Sequence, residues 1–213
     1  MAALARAFAR AVLSGDEVAA DAAIRDAIEA GLSAAEVSEE IIAPTLWLVG
    51  DLWERGEITV ADEHLATEIA LRVLALEQEA RRVRTQRRDY RVMLAAPAGE
   101  RHVVALRMLG GLLRQAGYDT LMLGPDVPPD ALAAATRRHG VDVVCLSVTM
   151  ENSSDRALVS LYEVQQSAPS TGFVLGGRAL TSRVPVRPGI EVCRQVSDGV
   201  RAVDAIVNRA GLN

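Results

Sequence analysis

Apolar positions recur at intervals of three and four through residues 1–88, and from Tyr90 onward they gather into short unbroken runs. The first period is that of amphipathic helices. Ser14 with Glu17, and Ser33 with Glu36, both fit a capping box, in which hydroxyl and carboxylate satisfy the orphan amides of a helix start. Gly15 and Gly31 mark the breaks before a second and a third helix. The third carries Val37, Ile41, Leu48 and Leu52 at helical spacing, with Pro44 at a kink or restart and Gly56 at its end. Thr59-Val60-Ala61-Asp62 opens a fourth, on which Leu65, Ile69, Val73 and Leu76 make a core-facing stripe. The basic run Arg81–Arg88 reads as a solvated helix end or linker, since cations suit a helix C-terminus. Residues 1–88 are thus expected to form a four-helix bundle.

The second period belongs to buried strands. Val92–Ala96, Thr120–Leu123, Asp142–Ser147 and Phe173–Leu175 are short apolar runs, and Ile190–Val192 is a weaker fifth. Helical stretches separate them, one ending at Gly117 and others near 130–138, 154–167 and 198–210. Strands alternating with helices predict βαβ units and a parallel sheet covered on both faces. The expected fold class is therefore α/β: the helical bundle, then a flavodoxin- or Rossmann-like domain with a five-stranded parallel sheet over 89–213. In such a sheet ligands lie beyond the carboxyl ends of the strands.

Composition narrows the function classes. Half of the 213 residues are apolar, enough for a packed core. The net charge of −5 argues against direct nucleic-acid binding, and no apolar run reaches bilayer length, so a cytoplasmic protein is expected. Arginines interrupt the apolar stretch of the N-terminus, which removes a signal-peptide reading. Cys145 and Cys193 are too few and too isolated for a disulfide framework or a cysteine zinc site. Among the histidines, His102 stands in the loop after the first strand, His64 near the start of the fourth helix, and His139 in a helix-to-strand connection at the surface. The third strand ends in Ser147-Val148-Thr149, placing hydroxyls at the same edge as His102, and the fourth runs into Gly176-Gly177, where the backbone admits close approach.

Together these segments resemble the cobalamin-binding domain, whose signature is D-x-H-x-x-G after the first strand, S-x-L or S-x-T after the third, and G-G after the fourth. The matching text is Glu100-Arg101-His102-Val103-Val104-Ala105, then Ser147-Val148-Thr149, then Gly176-Gly177. The resemblance implies that His102 replaces the cofactor's own base as the lower ligand of cobalt, that Glu100 orients it, and that the nucleotide tail enters a slot lined by the serine and the glycines. Glu100 stands where the family has Asp, and Ala105 where it has Gly.

The helical half carries a second, independent likeness. Trp53, nine intervening residues, then Glu63-His64 form W-x9-E-H, which resembles the cap of the CarH/LitR type of B12 photoreceptor. The resemblance implies adenosylcobalamin as the bound form, with Trp53 packed beside the adenosyl group and Glu63 hydrogen-bonded to it. In that type a histidine follows the tryptophan, whereas here Glu54 does, with His64 as a possible substitute. The chain begins at the cap, so the output is expected through self-association or a protein partner, as in the stand-alone AerR/PpaA antirepressors. Photocobilins share this construction and add a bilin such as biliverdin, for which no residue here marks a site. The alternative is the corrinoid subunit of a methyltransferase, which typically reads G-D-x-H-D-I-G-K. Val103 follows His102 here, and no lysine occupies the corresponding place.

Overall fold

A computed structural model describes residues 1–81, 86–179 and 189–210. The chain divides into two compact units, residues 1–83 and 84–213.

The first unit is helical: α1 (Ala2–Leu13), α2 (Glu17–Glu29), α3 (Ala34–Glu36), a π-helical turn (Val37–Ile42), α4 (Ala43–Glu54) and α5 (Val60–Ala80). α1 packs on α2, α4 and α5, around Phe8, Ile24, Ile41, Ile69 and Val73. The capping box expected at Ser33/Glu36 forms, and the fourth helix, expected to open at Thr59–Asp62, starts there with a capping box of its own. The one expected at Ser14/Glu17 does not. Asp16 is the cap of α2, accepting from Ala19 N, while Ser14 Oγ donates to Ala11 O.

The phase of the third helix also differs from expectation. Pro44 has no amide to donate in a continuing helix, and Ala43 N donates instead five residues back, to Ser38 O. A π turn adds one residue to the helical repeat. The buried line therefore passes from Ile41 and Ile42 to Thr45 and Val49, and Leu48 is exposed. On α5 the buried stripe is Ala66, Ile69, Ala70, Val73, Leu74 and Glu77, so Leu65 and Leu76 are exposed rather than core-facing. Small residues supply the close contacts that leucines were expected to make.

The second unit is a parallel sheet in the order β2-β1-β3-β4-β5. Its strands are β1 (Arg91–Pro97), β2 (Asp119–Val127), β3 (Val143–Ser147), β4 (Gly172–Gly176) and β5 (Ile190–Cys193). The helices are α6 (Val104–Gln115), α7 (Pro129–His139), α8 (Ser154–Ser167) and α9 (Val196–Ala210). Successive residues of a strand face opposite sides. Met93, Val144, Leu146 and Phe173 accordingly pack under α7 and α8, while Leu94, Cys145 and Val174 pack under α6 and α9. This is the expected α/β fold. The chain reverses its winding between β1 and β3, so the loops after these two strands flank the switch point.

The arginine run is only partly a solvated segment. Arg81 pairs with the buried Glu77 and donates to Leu32 O. Arg88 donates to Asp204 and lies over the Tyr118 ring, whose hydroxyl also donates to Asp204. Burial, then the neighbouring Asp204, pushes the Tyr118 phenol well above its usual range. Residues 82–85 of the run lie outside the described residues. Among the described residues no helix is long and apolar enough to cross a membrane.

Candidate functional site

Three loops meet the carboxyl edge of the sheet. After β1 the chain turns through Ala98–Val103 before α6 begins, and this loop carries Glu100, Arg101 and His102. Arg101 is exposed, and Val103 is the half-buried cap of α6. Ser147 closes β3 and is followed by Val148 and Thr149. Gly176 closes β4, in register with Ser147, and is followed by Gly177.

Glu100 ties the first two loops together. Its side chain is fully buried. Oε2 accepts from Thr149 N at 2.8 Å and Met150 N at 2.9 Å. Oε1 accepts from His102 N at 3.1 Å and stands 2.5 Å from His102 Nδ1. Burial opposes the charge, but the hydrogen bonds from the His102 ring and from the amides of Met150, His102 and Thr149 outweigh it. The carboxyl is thereby lowered to about 2. The longer acid standing in place of Asp reaches both His102 and the loop after β3.

An ionised carboxylate only accepts hydrogen bonds, so Nδ1 of His102 is the donor to Glu100, and Nε2 is the nitrogen that a metal would take. The imidazole is about half exposed at 55 %. These are the attributes of a metal-ligating histidine with an oriented ring.

The other edge residues divide by role. Gly177 has φ +113°, and a Cβ there would collide with the Val148 backbone, whose amide donates to Gly176 O at 2.8 Å. Its glycine is thus required by contact within the protein. A Cβ at Gly176 would meet only Cys193 O, at 3.5 Å. Ser147 Oγ is buried with no hydrogen-bond partner among the described residues. A buried hydroxyl left unpaired in the fold is available to a polar group of a ligand, and with the His102–Glu100 pair it fits a cobalamin.

In the helical unit, Trp53 lies at the end of α4 and is 48 % exposed, so it is no core anchor. Glu63 sits in the first turn of α5. Its Oε1 accepts from Thr67 Oγ1 at 3.0 Å, and its Oε2 stands 2.6 Å from Nδ1 of the exposed His64.

Two groups went unnoticed in the sequence. Asp126, at the end of β2, accepts from Gly99 N, and Arg156 of α8 donates to Ala98 O. The Gly124-Pro125-Asp126 text at a strand's carboxyl end was the available signal for the first; nothing marked the second.

Known proteins share both units. Residues 4–77 and 90–203 each match a family described as B12 binding domain. The repressor CarH of Myxococcus xanthus is 30 % identical over 165 residues, which is 76 % of this chain and 54 % of the repressor. The chain thus spans about half the length of that relative. The trimethylamine corrinoid protein of Methanosarcina barkeri is 22 % identical over 93 % of this chain and 94 % of its own. The monomethylamine corrinoid protein structure from Methanosarcina barkeri superposes with a TM-score of 0.77 at 16 % identity, covering 93 % of this chain and 96 % of that one. This likeness shows the fold.

Proposed function

The chain belongs to the B12 binding domain family, and from that premise we propose that it binds cobalamin through His102 on cobalt and acts as a light sensor. The observation that carries the ligand assignment is the buried Glu100 carboxylate. It is fixed by two amides of the loop after β3 and holds Nδ1 of His102, which supports Nε2 as the coordinating atom. Ser147, Val148, Thr149, Gly176 and Gly177 are the proposed wall of the nucleotide-tail slot, with Ser147 Oγ supplying a hydrogen bond. Glu100, Arg101 and Val103 complete the loop around the ligand.

Adenosylcobalamin, the proposed form, supplies a cobalt–carbon bond that light can break. Trp53 offers a half-exposed indole as an apolar wall for the adenosyl group. Glu63, held by Thr67 and His64, offers carboxylate oxygens to ribose hydroxyls. Glu54 stands where a second nitrogen ligand would follow Trp53, and His64, whose Nδ1 is held by Glu63, has Nε2 to offer in its place. Biliverdin is a candidate second chromophore to which no residue is assigned. The output would pass through self-association or a protein partner.

A second reading, the corrinoid subunit of a methyltransferase, is favoured by the similarity to trimethylamine corrinoid protein along nearly the whole chain. The experiment is absorption spectroscopy and size-exclusion chromatography of the protein loaded with adenosylcobalamin, before and after green light. A sensor changes its assembly along with its spectrum. A protein whose spectrum changes while its assembly does not, and which passes a methyl group from methylcobalamin to a thiol when a partner methyltransferase is supplied, fits the second reading.

A further inference from the structure

The loop that carries His102 is held through three successive backbone groups. The carbonyl of Ala98 accepts from Arg156 Nη1 at 3.1 Å, and the amide of Gly99 donates to Asp126 Oδ1 at 2.6 Å. The carbonyl of Glu100 accepts from the amide of Asp126 at 3.0 Å. Asp126 therefore grips the loop twice, by side chain and by backbone.

It does so from a conformation that a side chain seldom adopts. Asp126 has φ +54°, and among the described residues it is the one non-glycine with positive φ. The left-handed region is costly except for glycine and, to a lesser degree, Asn and Asp. A strained residue persists where its surroundings over-determine it. Irregular register between β1 and β2, at Leu94/Ala95 and Ala95/Pro97, accompanies the turn. Gly99 has φ +80°, which favours glycine, and the Arg156 guanidinium lies against it in the place a Cβ would take.

We infer that Asp126 is a positioning residue for cobalt ligation. It sets the height of the loop after β1, so that Glu100 meets the amides of Thr149 and Met150 while His102 is presented at the sheet edge. The inference rests on the proposed ligation by His102. Asp126 acts through the backbone at Gly99 and Glu100, not through the carboxylate–imidazole hydrogen bond itself. Arg156 assists as the second clamp.

The test uses the whole chain with methylcobalamin as probe, reading the fraction of bound cofactor with histidine on cobalt from the absorption spectrum as pH is lowered. Asp126→Gly removes the carboxylate but relaxes the backbone, so the fold should survive. It should shift the midpoint of histidine release to higher pH and weaken binding about tenfold, within the 10–100-fold range of outer partners of a metal ligand. Asp126→Asn keeps an oxygen acceptor and tolerates the left-handed backbone, so it should stay near wild type. A merely structural role would lower the melting temperature of Asp126→Gly and leave the pH midpoint in place, and that result overturns the inference. His102→Ala run alongside separates the two claims. If it keeps the histidine-on spectrum, the ligand assignment fails; if it loses that spectrum while Asp126→Gly matches wild type throughout, only the role of Asp126 fails. Should Asp126→Gly not fold, Arg156→Ala reads the same midpoint, with a shift expected and its absence contradicting the clamp.

Discussion

Glu100 Oε1 stands 2.5 Å from His102 Nδ1, while the other oxygen of the same carboxylate takes the amides of Thr149 and Met150. One buried acid thereby orients the ring of an exposed histidine and joins the loops after β1 and β3, on either side of the switch point. The pairing has separable consequences for binding and for stability.

Removing the imidazole should cost binding and some stability. His102→Ala is expected to weaken cobalamin binding 10–100-fold or more, and to lower the melting temperature because the buried Glu100 carboxylate loses one of its hydrogen bonds. Spectrophotometric titration and thermal melts measure the two effects.

Removing the acid should alter the pH dependence of stability. The Glu100 carboxyl is lowered from 4.5 to about 2. A group depressed in the fold binds protons more readily in the unfolded chain. Its contribution is therefore present above pH 4.5 and lost as pH falls through about 2. In the ligand-free protein, Glu100→Gln should lose melting temperature less steeply than wild type across that window. Parallel curves would contradict the assignment.

The two glycines at the end of β4 should behave differently. Gly177→Ala combines left-handed strain with a collision against Val148, and about 3 kcal/mol of destabilisation is expected in chemical unfolding. Gly176→Ala meets only an ordinary contact, so its effect on stability should be small. A loss of cobalamin affinity in a well-folded Gly176→Ala would mark that position as the one that a ligand approaches.

Trp53 is half exposed, so Trp53→Ala should cost well below the ~3–5 kcal/mol typical of a buried tryptophan. Its expected effect is on selectivity. The preference for adenosylcobalamin over methylcobalamin should fall, as measured by competition between the two.

The sheet domain was legible because each strand is a short apolar run bounded by turns, with Ser147 and Gly176 at the ends of such runs and His102 in the loop that follows one. The helical unit was legible as four helical runs, the third being α3, the π turn and α4 in unbroken succession, and less so in its phase. The turn at Val37–Ile42 shifts the buried line by one residue, which no interval of three or four reveals, and Ala66 and Ala70 do the packing assigned to Leu65. Asp16 displaced Ser14 as the cap of α2 because both residue types cap well and only the backbone decides between them. Asp126 escaped notice because a left-handed aspartate is written no differently from any other.

The ligand assignment can be read from cobalt itself. The protein is labelled uniformly with ¹⁵N, loaded with unlabelled cobalamin, reduced to the cob(II)alamin form and examined by electron paramagnetic resonance. Coordination by His102 should split each parallel cobalt line into a doublet, the signature of an axial ¹⁵N from the protein, and His102→Ala should abolish it. A triplet persisting in the labelled wild type would come from the cofactor's own ¹⁴N base and would contradict His102 as the ligand.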